Sequence, residues 1–317
     1  MSTTTTLSRR PMDFRHEAQV CAGTEELLAG TVAFVADALS GGIPVMVAVH
    51  ERTWEPIRSA LGGAAGLVRY VDMTRIGGNP ARMLAVWLGF LAEHGGRPVR
   101  GIGEPLWAGR RDAEVAECHI HEAALNLAIP ATTPLRMMCV YDADRLSPVA
   151  LEVAHSTHPV VLGGAPPQFG SYRGAEPGRL LATQRLARPP RGARRLAFGR
   201  GSLATVRRFV TDRCSEADLG TDRTDDLTLA INELAANSLD HAGGHGVLRS
   251  WQDDDALLLQ VSDSGRITDP LVGRIEPNAD QGRGRGLWLV NQVCDLVQVR
   301  SDRAGTSVRV ATWLPAG

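Results

Sequence analysis

Three short segments follow one another between residues 233 and 286 and restrict what the last third of the chain can fold into. The first is a helix-shaped run, Glu233-Leu-Ala-Ala-Asn237-Ser-Leu-Asp-His241. The second is an apolar strand pattern, Ala256 to Ser262, running into Asp263-Ser264-Gly265. The third is a glycine alternation, Gly282, Gly284 and Gly286, which opens an apolar helix pattern from Leu287 to Asp295. A helix, a strand ending in a carboxylate and a glycine-rich helix start, in that order, belong to an α/β layered domain.

In the first segment, Leu227, Ile231, Leu234 and Ser238 recur at helical spacing and predict the face turned to a core. Thr224 is placed to cap this helix, with Asp225 and Asp226 in its first turn, where the dipole favours negative charge. Glu233, Asn237 and His241 are spaced i, i+4, i+8. At about 100° per residue their stripe lies less than a quarter turn from the apolar one. A carboxylate on such a rim can act as a general base. The Asn237 amide oxygen suits a Mg²⁺ ion that also holds phosphate oxygens. Alone, the same stripe is more often an ordinary polar rim on an amphipathic helix.

In the second segment, Asp263 stands at a strand end beside Gly265, where backbone without Cβ allows close approach. A carboxylate there can accept a hydrogen bond from an exocyclic amine such as that of adenine. Taken alone, Asp-Ser-Gly is an ordinary turn. In the third, backbone N–H groups at a glycine-rich helix start bind phosphate, and Arg283 and Arg285 add positive charge. The glycines do not directly follow a strand, so they are not a Rossmann fingerprint.

Together the three segments, with Gly305-Thr306-Ser-Val, make residues 197–317 resemble the GHKL (histidine-kinase-like, Bergerat) ATPase fold, and within it the RsbW-type anti-sigma-factor kinases. The resemblance implies an α/β sandwich that binds ATP and Mg²⁺. It implies Glu233 as catalytic base and Asn237 as Mg²⁺ ligand, with His241 on the same stripe. Asp263 and Gly265 would read adenine, with Thr306 near it, and Gly282, Gly284, Arg285 and Gly286 would hold phosphates under a lid. One departure stands out: Asp263-Ser-Gly-Arg-Ile267 has isoleucine where the family carries its second glycine.

Residues 165–196 contain Pro166-Pro167 and Arg188-Pro-Pro-Arg-Gly192 and read as a linker. No histidine falls between His158 and His241, so the phosphoacceptor helix of a sensor histidine kinase is not in that stretch. All 34 basic residues are arginine. Absence of lysine excludes a Walker A loop and any Schiff-base lysine. A net charge of -1 gives no global pull toward nucleic acid or membrane. There is no apolar run of transmembrane length, and the five cysteines lack paired spacing and fit reduced thiols. A cytoplasmic protein is the expectation.

Residues 14–164 alternate helix patterns (Glu25 to Leu39, Ala81 to Ala92, Asp112 to Leu127) with apolar runs (Val45 to Val49, Val68 to Val71, Arg136 to Tyr141). Continuous apolar strands between helices predict a parallel α/β sheet. Arg100-Gly-Ile-Gly-Glu104 with Trp107, Glu122 with Asn126, Cys139-Val-Tyr141-Asp142 and His158-Pro159 make this region resemble the MEDS sensory domain. That resemblance implies a RecA-like core without a P-loop, and a signal it does not name. Glu104, Tyr141 and Asp142 are candidates for a ligand pocket at strand ends, or for local turn bonding. Cys118, His119, His121 and Glu122 look like metal ligands, but His119 and His121 point about 200° apart on a helix and cannot share an ion. His155 and His158 lack an evident third ligand. All four histidines read as buried or capping.

The sequence thus describes a two-domain regulator in which ATP·Mg²⁺ binding controls a sigma factor, an STAS-type anti-sigma antagonist, or both, through Ser/Thr phosphorylation of the antagonist. Two alternatives stay open: an ATP-gated binding module without transfer, and an atypical histidine kinase acting on a separate phosphoacceptor. No direct contact with nucleic acid or membrane is expected, and a homodimer is one option for the assembly.

Overall fold

A computed structural model describes residues 13–163, 172–277 and 285–314. The chain divides into two compact units. The first comprises the chain up to Arg75, Val86–Arg111 and Leu125–Ala175; the second comprises Ile76–Ala85, Asp112–Ala124 and the chain from Glu176. Among the described residues no helix is long and apolar enough to cross a membrane.

The elements of the N-terminal half are β1 (Arg15–Cys21), α1 (Gly23–Ser40), β2 (Val45–Val49), α2 (Glu51–Leu61), β3 (Arg69–Asp72), α3 (Met73–Ile76), α4 (Met83–Glu93), β4 (Val99–Gly103), α5 (Asp112–Ala128), β5 (Leu135–Asp142), α6 (Pro148–Thr157) and β6 (Val160–Leu162). The six strands form one parallel sheet in the order β3-β2-β4-β5-β1-β6. Every residue of β2 is buried, as its unbroken apolar run predicts. Against it pack Phe34, Val35 and Ala38 of α1 and Trp54 and Ile57 of α2.

β1 is a strand that apolar patterning does not reveal. Its sequence, Arg-His-Glu-Ala-Gln-Val-Cys, is half polar, yet it lies between β5 and β6 with His16, Glu17 and Gln19 buried. Each polar side chain has a partner, as burial demands. Arg136 Nε donates to Glu17 Oε2 at 3.0 Å, His16 Nδ1 meets Asn126 Oδ1 at 3.0 Å, and Gln19 Nε2 donates to the Glu26 carbonyl at 3.4 Å. Gly30 makes room for Gln19: a Cβ at residue 30 would lie 1.8 Å from its Nε2.

Glu104 follows β4 directly and is buried. It accepts from the His50 backbone N–H at 2.8 Å and from Thr53 Oγ1 at 3.0 Å, and so ties the start of α2 to the sheet. Asp142 is engaged in its own turn, accepting from Asp144 N–H at 3.1 Å. Turn bonding therefore accounts for Asp142, whereas the partners of Glu104 come from a segment about fifty residues earlier.

The second unit continues with α7 (Glu176–Thr183), β7 (Arg194–Gly199), α8 (Leu203–Glu216), α9 (Thr221–His241), β8 (His245–Gln252), β9 (Ala256–Asp263), α10 (Arg285–Val293), β10 (Leu296–Asp302) and β11 (Gly305–Trp313). Its sheet is antiparallel, in the order β10-β11-β9-β8-β7. Val206, Val210 and Cys214 of α8, Leu227, Ile231 and Leu234 of α9 and Val290 of α10 share a core with Leu248, Leu259, Val261 and Val310 of the sheet. α7 forms inside the stretch that reads as a linker, and beyond it Arg309 Nη2 donates to the Ala187 carbonyl at 2.6 Å. Pro177 and Gly178 in its first turn disguise so short a helix in the sequence.

Within this unit Glu117 is fully buried and pairs with two arginines: Arg274 Nη2 at 3.0 Å and Arg300 Nη2 at 2.7 Å. Burial pulls the Arg274 guanidinium below its usual range, and Glu117 opposes the shift. Removing the shared carboxylate would strand two buried cations. Glu117→Ala should therefore cost about 3–5 kcal/mol in chemical denaturation of the whole chain; a loss below about 1 kcal/mol would show that water reaches the pair.

Burial also pushes the Glu104 carboxyl up from 4.5 to about 7, outweighing its two hydrogen bonds. A carboxyl raised on folding contributes stability that is complete below its unfolded value and is lost as pH rises through about 7. Relative to Glu104→Gln, the native chain should lose stability between about pH 5 and about pH 8, by on the order of 3 kcal/mol at most. An equal difference at both pH values would contradict the buried, protonated state.

Candidate functional site

The site in the second unit is assembled by α9, the end of β9, the start of α10 and the start of β11. α9 begins at Thr221, a turn earlier than the sequence predicts, with Gly220 as its N-cap and no side-chain cap. The predicted cap is corrected accordingly: Thr224 lies inside the helix, its N–H donating to the Gly220 carbonyl at 3.0 Å and its hydroxyl facing the Leu219 carbonyl at 3.5 Å. An extended N-cap glycine costs little in place of a side-chain cap. The apolar stripe is as expected, Leu227, Ile231, Leu234 and Ser238 being buried together with Ala230 and Ala235.

Glu233 and Asn237 are half-buried on the rim and His241 is exposed at the helix end. Gly286, in the first turn of α10, abuts the first two: a Cβ there would lie 3.0 Å from Glu233 Oε2 and 3.3 Å from Asn237 Nδ2. The helix N-terminus thus reaches the polar stripe with no side chain between them. Arg285 stands exposed just before it. Gly282 and Gly284 lie outside the described residues.

Asp263 ends β9 with both carboxylate oxygens engaged. Ser238 Oγ donates to Oδ2 at 2.6 Å, and the Gly265 backbone N–H donates to Oδ1 at 2.8 Å. Each oxygen keeps a further lone pair for an incoming donor. Opposite Asp263 in register is Thr306 of β11, whose hydroxyl donates to the Gly265 carbonyl at 2.9 Å and meets Ser301 Oγ at 2.9 Å. Gly305, at φ 137°, leaves no space for a side chain, since a Cβ would lie 2.1 Å from the Asp263 carbonyl oxygen. Gly265 sits against Ala242 in the same way, at 2.7 Å.

Between these elements lies a cavity of about 210 Å³. Leu234, Val261, Leu287 and Val308 give it apolar walls; Asn237, His241, Asp263, Gly265 and Thr306 line its polar part. An apolar slot with a carboxylate at its base suits a flat heteroaromatic ring that carries an amine. Ile267, at the position of the missing glycine, also lines it and packs on the core, and its backbone N–H donates to Ser301 Oγ at 2.9 Å. Two contributors escape sequence reasoning. Ser238 looks like a core residue because it falls on the apolar stripe, and Ser301 carries no motif of its own; the antiparallel β10–β11 pairing sets it opposite Thr306.

Residues 15–159 match the family model of the MEthanogen/methylotroph, DcmR Sensory domain (MEDS), and residues 199–312 that of the histidine kinase-like ATPase domain. No curated protein matches the chain. Among solved structures, the RsbU and RsbW domains of Rv1364c from Mycobacterium tuberculosis are similar at 16% identity and a TM-score of 0.30, over 39% of this chain and only 34% of that one. The chain carries an N-terminal MEDS domain, built on a parallel α/β sheet, and a C-terminal histidine kinase-like ATPase domain, built on an antiparallel sheet with helices.

Proposed function

We propose that the C-terminal domain binds ATP with Mg²⁺ and uses it to regulate a partner protein, in the manner of an anti-sigma-factor kinase. The observation that carries this reading is the Asp263 carboxylate, fixed by Ser238 and Gly265 in the lining of a largely apolar cavity that Asn237 and Gly286 also line, with Glu233 against Gly286. Asp263 would accept the adenine amine. Asn237 would give its amide oxygen to Mg²⁺, and the first-turn N–H groups of α10 would face the phosphates. The bound nucleotide, with its cation, supplies the transferable phosphoryl group. Glu233 lies one helical turn from Asn237, on the same rim, where it would take the proton of an acceptor hydroxyl.

The acceptor in this reading is a serine or threonine of an STAS-type antagonist, with a sigma factor as the competing partner. The Mycobacterium protein has an RsbW domain of its own, but the likeness to it is too slight to supply a partner here. A second reading, nucleotide-gated binding without transfer, is favoured by Ile267. Its side chain is packed on the core and its N–H is bonded to Ser301, so the loop after Asp263 is anchored where a second glycine would let it hinge.

Calorimetric titration of ATP into the full chain separates these ideas. Asp263→Asn replaces one acceptor oxygen with a donor and should weaken ATP at least tenfold with or without Mg²⁺. Asn237→Ala should remove only the Mg²⁺-dependent part of the affinity. Unchanged binding in both variants would end the nucleotide-site assignment. Glu233→Gln should retain nucleotide while lowering phosphate transfer to an antagonist about a hundredfold or more. Transferred phosphate that survives acid but not base would identify Ser/Thr, and the reverse would identify histidine. Tight binding with no transfer in the native chain would favour the binding module.

A further inference from the structure

The polar residues of the first unit are not scattered. His16 on β1, Cys139 on β5 and His158 at the end of α6 are distant in sequence, yet their ligand atoms lie within 4.8 Å of one another. All three are buried, at 2%, 0% and 1% exposure. The two imidazoles meet at 4.0 Å between ring centroids, tilted by 47°.

Their hydrogen bonds fix which ring nitrogen faces the cluster. Asn126 Nδ2 donates to the Thr157 carbonyl at 2.7 Å, which leaves Asn126 Oδ1 as acceptor for His16 Nδ1–H at 3.0 Å. His158 Nδ1 lies 2.9 Å from the Ala154 carbonyl, which can only accept, so the proton of this ring is also on Nδ1. In both rings the lone pair is therefore on Nε2. An outer hydrogen bond from one ring nitrogen to a carbonyl or amide oxygen, with the other turned inward, is the arrangement found around metal-bound histidines. His16 Nε2 is 3.4 Å from Cys139 Sγ. With Zn–N near 2.05 Å and Zn–S near 2.3 Å, the nitrogen-to-sulfur edge of a tetrahedral site is about 3.5 Å.

From this geometry we infer that the MEDS domain of this chain holds a divalent transition-metal ion of the zinc class on His16, Cys139 and His158. Two imidazoles and a thiolate select a borderline-soft ion over Mg²⁺ or Ca²⁺. The Cys139 thiol proton leaves as the metal–sulfur bond forms, so loading releases a proton. The ion would link β1, β5 and the junction of α6 with β6. His158, which has no third ligand near it in sequence, finds its partners on strands about 20 and 140 residues away, a distance set by the sheet order.

The test is metal analysis of the purified full chain after chelation and exposure to Zn²⁺, with no nucleotide present. One Zn²⁺ per chain is expected. Cys139→Ser and His158→Ala should lower retention at least tenfold. Cys21→Ser, a buried cysteine of the same unit outside the cluster, should keep the full amount. Asn237→Ala should keep it too, which separates this ion from any metal at the nucleotide site. Co²⁺ added to the unmodified chain guards against variants that do not fold: intense tetrahedral bands with thiolate charge transfer are expected. A folded chain that takes up no stoichiometric Zn²⁺, a Cys139→Ser variant that retains all of it, or a Co²⁺ spectrum without thiolate absorption would each overturn the inference, and the cluster would then be an S–H···N hydrogen-bonded core.

Discussion

The hydrogen bond from Ser238 to Asp263 joins the two layers of the ATPase domain at the point where its chemistry is placed. A carboxylate at the end of a strand is free to turn toward solvent. Here one oxygen is held by the hydroxyl of a helix residue and the other by the backbone just beyond the strand. Its position is therefore set by how α9 packs on β9, which in turn is set by Leu227, Ile231 and Leu234 against Leu259 and Val261. The apolar stripe does more than stabilise the domain. It fixes the helical phase, and with it the direction in which Glu233 and Asn237 face.

The same logic explains the glycines. Gly286 is where the start of α10 comes against Glu233 and Asn237, and Gly305 is where β11 passes the Asp263 carbonyl. At Gly305 a methyl group would collide with backbone, and at Gly286 it would press on the ends of the Glu233 and Asn237 side chains. Glycine here shapes the cavity by close approach, and flexibility is a separate matter. That distinction bears on Ile267, which anchors the loop after Asp263 and leaves the close approaches at Gly265 and Gly305 intact.

Much of this is legible in the sequence, for a physical reason. α9 is long, amphipathic and periodic, and β9 is apolar at five of its first six positions, so pattern and structure coincide. The start of α9 is missed because threonine and two aspartates imitate a capped first turn, while the actual cap is a glycine whose contribution is backbone geometry alone. Ser238 is hidden by its own position on the apolar stripe, and α7 by a proline and a glycine at its start. β1 is hidden most completely. A central strand carrying His16, Glu17 and Gln19 violates the alternation that marks strands, and its partners Asn126, Arg136 and Cys139 come from elements more than a hundred residues later.

That violation is itself informative. A buried polar side chain costs free energy unless its hydrogen bonds are met, and an apolar strand of the same shape would need none of these partners. Glu17 and Gln19 have found structural partners, an arginine and a carbonyl, which satisfy them locally. His16 differs. Its outer nitrogen is satisfied by Asn126, and its inner one is turned toward a thiol and a second imidazole that is oriented in the same way. Packing alone would not favour two buried histidines and a cysteine whose ligand atoms lie within 4.8 Å of one another. In the MEDS domain the departure from consistent patterning is concentrated on β1, where buried polar residues replace the apolar ones that a strand of a parallel sheet calls for.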